Sequence, residues 1–120
     1  MTMTPTSCRR GDVVLVLFPH ADLRTAKPRP TLVVQADDLG TGLEQVVVSM
    51  ISSRLFRANH PSRVLVRLAD AEGAESGLLT DSVVMTDNLA TVQLTEIGRA
   101  IGRLPMARVD AALRHTLGIR

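Results

Sequence analysis

Val13-Val14-Leu15-Val16-Leu17-Phe18 is an unbroken apolar run, too short for a helix and rich in β-branched side chains. Read as a strand, it is buried on both faces, and a strand of that kind needs other strands around it. The chain offers them as short segments separated by turn residues: 31–36, 45–52, 62–68, 78–85, 91–94 and 99–104. Segment 62–68 alternates, with Val64, Val66 and Leu68 on one face and Arg63 and Arg67 on a solvated, charged one. Residues 70–77 form an acidic turn, and 86–89 a second turn in which Asp87 and Asn88 bond their own backbone. Beyond the last strand, Pro105 fits the first position of a helix, Met106, Val109, Leu113 and Leu117 recur at helical spacing, and Gly118 fits just past its end. Many short strands and one terminal helix predict a mainly β fold, a small, strongly curved antiparallel barrel with a C-terminal α-helix.

With 120 residues the chain can bury a core as one domain without metal or disulfide staples. Residues 1–10, polar and containing Pro5, read as a flexible N-terminal tail, which leaves 11–120 as the folded unit. The single Cys8 cannot form an internal disulfide, and no Cys/His cluster has zinc spacing. No cofactor and no metal are expected, and the cytoplasm is the expected location. No apolar run approaches the roughly 20 residues of a membrane span, and the first ten residues lack the apolar centre of a signal peptide.

The formal charge is +2, and the basic side is almost entirely arginine, 13 Arg against the single Lys27. Guanidinium forks match phosphate oxygens, so the bias suits a polyanionic partner; a GC-rich genome would produce the same bias. Aromatics are 2% of the chain, Phe18 and Phe56 alone, which nearly excludes stacking platforms as the means of holding nucleic acid.

Lys27-Pro28-Arg29-Pro30 is the stiffest stretch of the sequence. Proline fixes its own φ and restricts the residue before it, so Arg29, flanked on both sides, has little backbone freedom. Pro30 lacks an amide donor and belongs at a strand's first residue, which places Arg29 at a sheet rim, as a solvated charge or as a site group. The connection before it, residues 19–28, carries His20, Arg24 and Lys27. Ser52 ends the segment 45–52, either donating in a site or satisfying a strand-end amide, and Arg54, Arg57, Asn59 and His60 follow in a loop broken by Pro61.

Gly11-Asp12-Val13-Val14-Leu15-Val16, Arg29-Pro30-Thr31-Leu32-Val33-Val34, Val48-Ser49-Met50-Ile51-Ser52, residues 77–84, Asp87-Asn88-Leu89-Ala90-Thr91-Val92 and Ile101-Gly102-Arg103-Leu104 follow one another at fixed spacings. In that order the chain resembles the MazF/PemK (Kid-like) toxins of type II toxin-antitoxin systems, from about Gly11 to Ile119. The resemblance implies a CcdB/PemK-like (SH3-like) barrel that dimerises and cleaves single-stranded RNA sequence-specifically without metal, leaving a 2′,3′-cyclic phosphate and a 5′-hydroxyl. Its catalytic residues fall on Arg29, Ser52 and Asp87. The Glu-Gln-x-Gly segment that many relatives place before the arginine is missing, and Ala90 stands where relatives often carry Arg.

Cleavage by the RNA's own 2′-hydroxyl needs that group deprotonated, the pentavalent phosphate stabilised and the 5′-oxygen protonated. Arg29 is expected to bind the phosphate and Ser52 to add a hydrogen bond; Asp87, if its pKa is raised, or His20 would move the proton. His20, Arg24, Lys27, Arg54, Arg57 and Asn88 are the residues expected to hold RNA. Implied partners are a second copy of the chain, single-stranded RNA, an acidic, partly disordered antitoxin segment, and operator DNA only through that antitoxin. The alternatives are a non-catalytic barrel toxin acting on a protein such as DNA gyrase, against which the Trp missing before Leu117-Gly118-Ile119 speaks, and a degenerate member that binds only antitoxin and operator.

Overall fold

The computed structural model describes residues 8–19 and 26–120. Six strands, β1 (Asp12–Pro19), β2 (Ala26–Val33), β3 (Gln45–Ser52), β4 (Arg63–Val66), β5 (Ser82–Gln93) and β6 (Ile97–Arg103), make one antiparallel sheet in the order β4-β5-β3-β2-β1-β6. A short helix, α1 (Ala71–Glu75), and the C-terminal helix α2 (Ala107–Leu117) complete the mainly β architecture. The edge strands β4 and β6 are not paired with one another, so the sheet is open where a complete barrel would close.

Alternation along β1 and the last residues of β2 sends their apolar side chains to both faces of the sheet. Val13 and Leu32 join one core with Val34, Ile51, Val64, Val66 and Val84, while Val14, Val16 and Val33 join a second with Val46, Val48 and Val92. The central strands are therefore covered on both faces, and each fully buried Val or Leu contributes roughly 1.5–3 kcal/mol of transfer free energy. Helix α2 closes the first core with Val109 and Ala112. Met106 and Leu113 pack at its margin, whereas Leu117, expected on the same stripe, is exposed. The helix starts at Ala107, two residues after Pro105, and ends at Gly118, whose φ of 68° is the left-handed conformation that lets its N–H return to Arg114 and His115.

Two of the expected boundaries that moved did so for a backbone reason. β2 begins at Ala26, five residues before the predicted start at Thr31, so Pro28 and Pro30 lie inside it. From Ala26 to Pro30 the strand pairs only with β1, its pairing to β3 beginning at Thr31 opposite Met50; nitrogens without a proton cost no ladder bond on a side that has no partner. Likewise the two segments expected at 78–85 and 91–94 are parts of one strand, β5. The predicted turn between them is a bulge: Ser49 pairs with Leu89 and Met50 with Met85, which leaves Thr86, Asp87 and Asn88 without partners on β3. Thr86 fixes the bulge through its N–H and Oγ1, both donating to the carbonyl of Ser62 at 3.0 and 2.6 Å.

Arg9 and Arg10, the last residues of the N-terminal segment, are held to the sheet and to α2. The Arg9 N–H donates to Asp12 Oδ2 at 2.8 Å, and Arg10 donates to the Val34 carbonyl at 2.8 Å and to Asp110 at 2.6 Å. No helix among the described residues is long and apolar enough to cross a membrane.

Candidate active site

Where β2 leaves β3 an open groove of about 820 Å³ begins, since β2 there follows β1 while β3 follows β5. Its apolar surface comes from Leu15, Met50, Ile51, Leu78, Met85 and Ile101. Among the described residues the charged groups lining it are Lys27, Arg29, Arg54, Arg57 and Arg99, with no Asp or Glu. Five cations beside a low-dielectric wall focus a positive potential into the groove, which favours a polyanion.

Arg29 lies in β2 opposite Val16 of β1, between the two prolines, with its side chain exposed. Among the described residues its guanidinium makes no hydrogen bond and no ion pair. Ser52 closes β3 opposite Val83, and its Oγ accepts the Arg54 N–H at 3.1 Å. Both readings of this hydroxyl hold together: the oxygen satisfies the amide after the strand, and the hydroxyl proton is still free to be donated.

Past Ser52 a single 3₁₀ turn, Leu55–Ala58, carries Arg57, and Arg54 immediately precedes it. The Arg57 guanidinium lies 5.8 Å from the centre of the Phe56 ring, and its Nη1 lies 3.7 Å from Met85 Sδ. Asn88, from the β5 bulge, reaches the same groove. Of the residues singled out in the sequence, Lys27, Arg29, Ser52, Arg54, Arg57 and Asn88 are brought together; His20 and Arg24 lie outside the described residues.

Asp87 is not among the groove residues. Arg63 donates to both of its carboxylate oxygens, Nε to Oδ1 at 2.9 Å and Nη2 to Oδ2 at 2.7 Å. These hydrogen bonds hold the carboxyl below its ordinary range and raise the guanidinium above its own. A raised pKa, the condition for Asp87 to take a proton near neutral pH, is the opposite of what this geometry produces. Arg63, expected on a solvated face, is half-buried and also donates from Nη1 to the Arg57 carbonyl at 3.0 Å.

Arg99, which sequence reasoning missed, enters the groove because β6 pairs with β1, bringing Arg99 opposite Leu15. No local motif marks it; the only signal is that it is a cation near the start of a segment already read as a strand. Among the described residues no three His, Cys, Asp or Glu side chains converge as a metal site.

A family model of PemK-like, MazF-like toxins of type II toxin-antitoxin systems matches residues 9–117, a range that includes every residue lining the groove. The chain belongs to this family. Among curated relatives, this PemK/MazF-family chain is 32% identical over 114 residues to a probable endoribonuclease MazF of Mycolicibacterium smegmatis, covering 92% of the chain and 97% of that protein. It is 30% identical over 107 residues to endoribonuclease MazF6 of Mycobacterium tuberculosis, covering 86% of the chain and 90% of the relative. In fold it superposes on a mycobacterial endoribonuclease solved in complex with its cognate antitoxin, with TM-score 0.73 and 22% identity over 95% of this chain and 98% of that one. The MazF of a Deinococcus radiodurans MazE-MazF structure gives TM-score 0.71 at 18% identity, over 96% of this chain and 99% of that one.

Proposed function

We propose that this PemK/MazF-family toxin is an endoribonuclease that cuts single-stranded RNA, with the cationic groove between β2 and β3 as the place of cutting. The observation that carries this is the convergence of five cations, Lys27, Arg29, Arg54, Arg57 and Arg99, on one groove whose described lining holds no carboxylate. A strand of phosphates crossing such a surface is held without sequence information, and bases are then read at edges presented to Asn88 and the neighbouring loops.

In the proposed reaction the RNA's 2′-hydroxyl gives up its proton to water and attacks the adjacent phosphorus, the bond from phosphorus to the 5′-oxygen breaks as a 2′,3′-cyclic phosphate forms, and the departing 5′-oxygen takes up a proton from water. Arg29 stabilises the pentavalent phosphorane through paired N–H donors, and Ser52 donates its hydroxyl proton to the same oxygens. Donors fixed before the reaction stabilise charge that develops only in the transition state, and that difference is what lowers the barrier. The chemistry is assigned to side chains alone, so adding EDTA should leave the rate unchanged.

The same groove suits an acidic antitoxin segment that orders on contact, which would compete with RNA for the same cations. The active unit is a homodimer of residues 11–120 working in the cytoplasm, and operator DNA is engaged only through the antitoxin. Incubating the purified protein with a mixed RNA pool and mapping the new ends tests the reading. Defined 5′-hydroxyl ends are expected; intact RNA together with inhibited DNA supercoiling would replace the nuclease with a gyrase-directed toxin.

A further inference from the structure

We infer that Asp87 is a positioning residue that acts through Arg63: the pair fixes the 3₁₀ turn that presents Arg54 and Arg57 to RNA. This deepens the RNA-cleaving reading and rests on it. The guanidinium of Arg63 spends all three nitrogens on two tasks. Nε and Nη2 grip Asp87 in the β5 bulge, and Nη1 donates to the carbonyl of Arg57.

The turn needs that support because little else holds it in place. None of its residues is fully buried and the Arg54 side chain makes no cap; Ser52 Oγ, accepting the Arg54 N–H, ties down its start and leaves its far end to be fixed. Inside it the Arg57 N–H returns to the Arg54 carbonyl at 3.1 Å, which joins the two arginines into one unit moving together. Arg63 ties the far end of this unit to β4, and Asp87 orients Arg63. A planar fork gripped at two points has no rotational freedom left, so its third nitrogen is aimed.

The bulge supplies the carboxylate for a geometric reason. Because Thr86, Asp87 and Asn88 pair with nothing on β3, successive side chains here can serve different tasks. Thr86 anchors the backbone to Ser62, Asp87 holds Arg63, and Asn88 reaches the groove. The charged group facing Asp87 is Arg63, which favours its ionised form; His60 lies at longer range, its Nδ1 accepting the Ser62 N–H. With each oxygen already accepting a charge-assisted hydrogen bond and its carboxyl held below the ordinary range, Asp87 is a poor base for a proton on RNA.

The test compares Asp87→Asn, Arg63→Lys and the double variant, each first checked by thermal melting. Affinity is read by anisotropy with labelled, random-sequence single-stranded RNA, and rates are read on an RNA the wild type cuts. Arg63→Lys keeps a charge beside Asp87 but cannot also reach the Arg57 carbonyl, and it guards against Asp87→Asn failing to fold. Each single variant should weaken RNA binding about three- to tenfold. The double variant should be no weaker than the worse single one, and the pH dependence of kcat should keep its wild-type shape. An Asp87→Asn protein that binds normally but loses kcat together with the acidic limb of its pH profile would overturn the inference in favour of a base. Unchanged binding in both single variants would overturn it as well. Failure of the wild type to cut any RNA would sink the nuclease reading on its own, while the anisotropy comparison would still decide the role of Asp87.

Discussion

Arg29 and Ser52 each stand two residues past the last β2–β3 pair, Thr31 with Met50, on strands that separate at that point. Continuing the ladder would set them opposite one another; instead a groove opens between them and both line it. The prolines explain why the ladder stops, since neither Pro28 nor Pro30 has an N–H to give to β3. One local feature thus keeps the rim open and restrains the guanidinium that faces it.

Replacing Pro30 with Ala separates these two effects from folding. Stability should fall by only about 0.4–1 kcal/mol, through the larger entropy of the unfolded chain, as read from the urea midpoint. RNA cleavage should fall by more than that loss explains, because Arg29 gains backbone freedom.

Binding of single-stranded RNA should weaken linearly in a plot of log K against log salt, with a slope no steeper than about −3.5 for five cations. Arg54→Ala, Arg57→Ala and Arg99→Ala should each flatten that slope by about 0.7 if the residue contacts a phosphate. Titrations at several salt concentrations check this, and an unchanged slope for Arg99→Ala would remove it from the RNA surface.

Asp87 also links stability to pH. Its folded pKa is depressed by Arg63, so the ion pair's contribution is complete above the unfolded value of about 4 and disappears as pH falls through the folded value. Melting temperatures of wild type and Asp87→Asn should therefore differ by a constant amount from neutrality down to about pH 5 and converge below about pH 4. A gap that persists in acid would mean the Arg63 pair is not its source.

Gly102 and Gly77 let the segment after α1 lie directly against β6. A Cβ at Gly102 would meet the backbone of Ser76 and the Glu75 carbonyl, and one at Gly77, where φ is 74°, would meet the Ile101 carbonyl. Gly102→Ala should cost about 2–3 kcal/mol in urea unfolding, whereas Gly98→Ala, with only an ordinary contact to the Leu15 carbonyl, should stay within about 0.5 kcal/mol.

The parts of this fold that depend on local pattern were legible in the sequence. β3 runs over residues 45–52 as read, α2 ends where Gly118 allows it to, and the cations near Pro28 and Ser52 share one groove. What escaped the sequence depends on partners distant along the chain. Alternation cannot tell which side of a strand lacks a neighbour, so the early start of β2 was hidden behind its prolines. Asp87 and Asn88 have turn-forming side chains whether the backbone reverses or merely bulges. Arg63 looked like a solvated charge because its carboxylate lies 24 residues further along, and Arg99 joins the groove only through the β1–β6 ladder.

The most direct measurement is single-turnover cleavage of single-stranded RNA by Arg29→Ala, with thermal melting to establish that the variant folds. Removing a donor aimed at the phosphorane should lower the rate by about 10²–10³-fold or more while the melting temperature stays close to wild type, since Arg29 is exposed. Cutting at the wild-type rate by the folded variant would contradict the assignment of the groove between β2 and β3 as the place where RNA is cleaved.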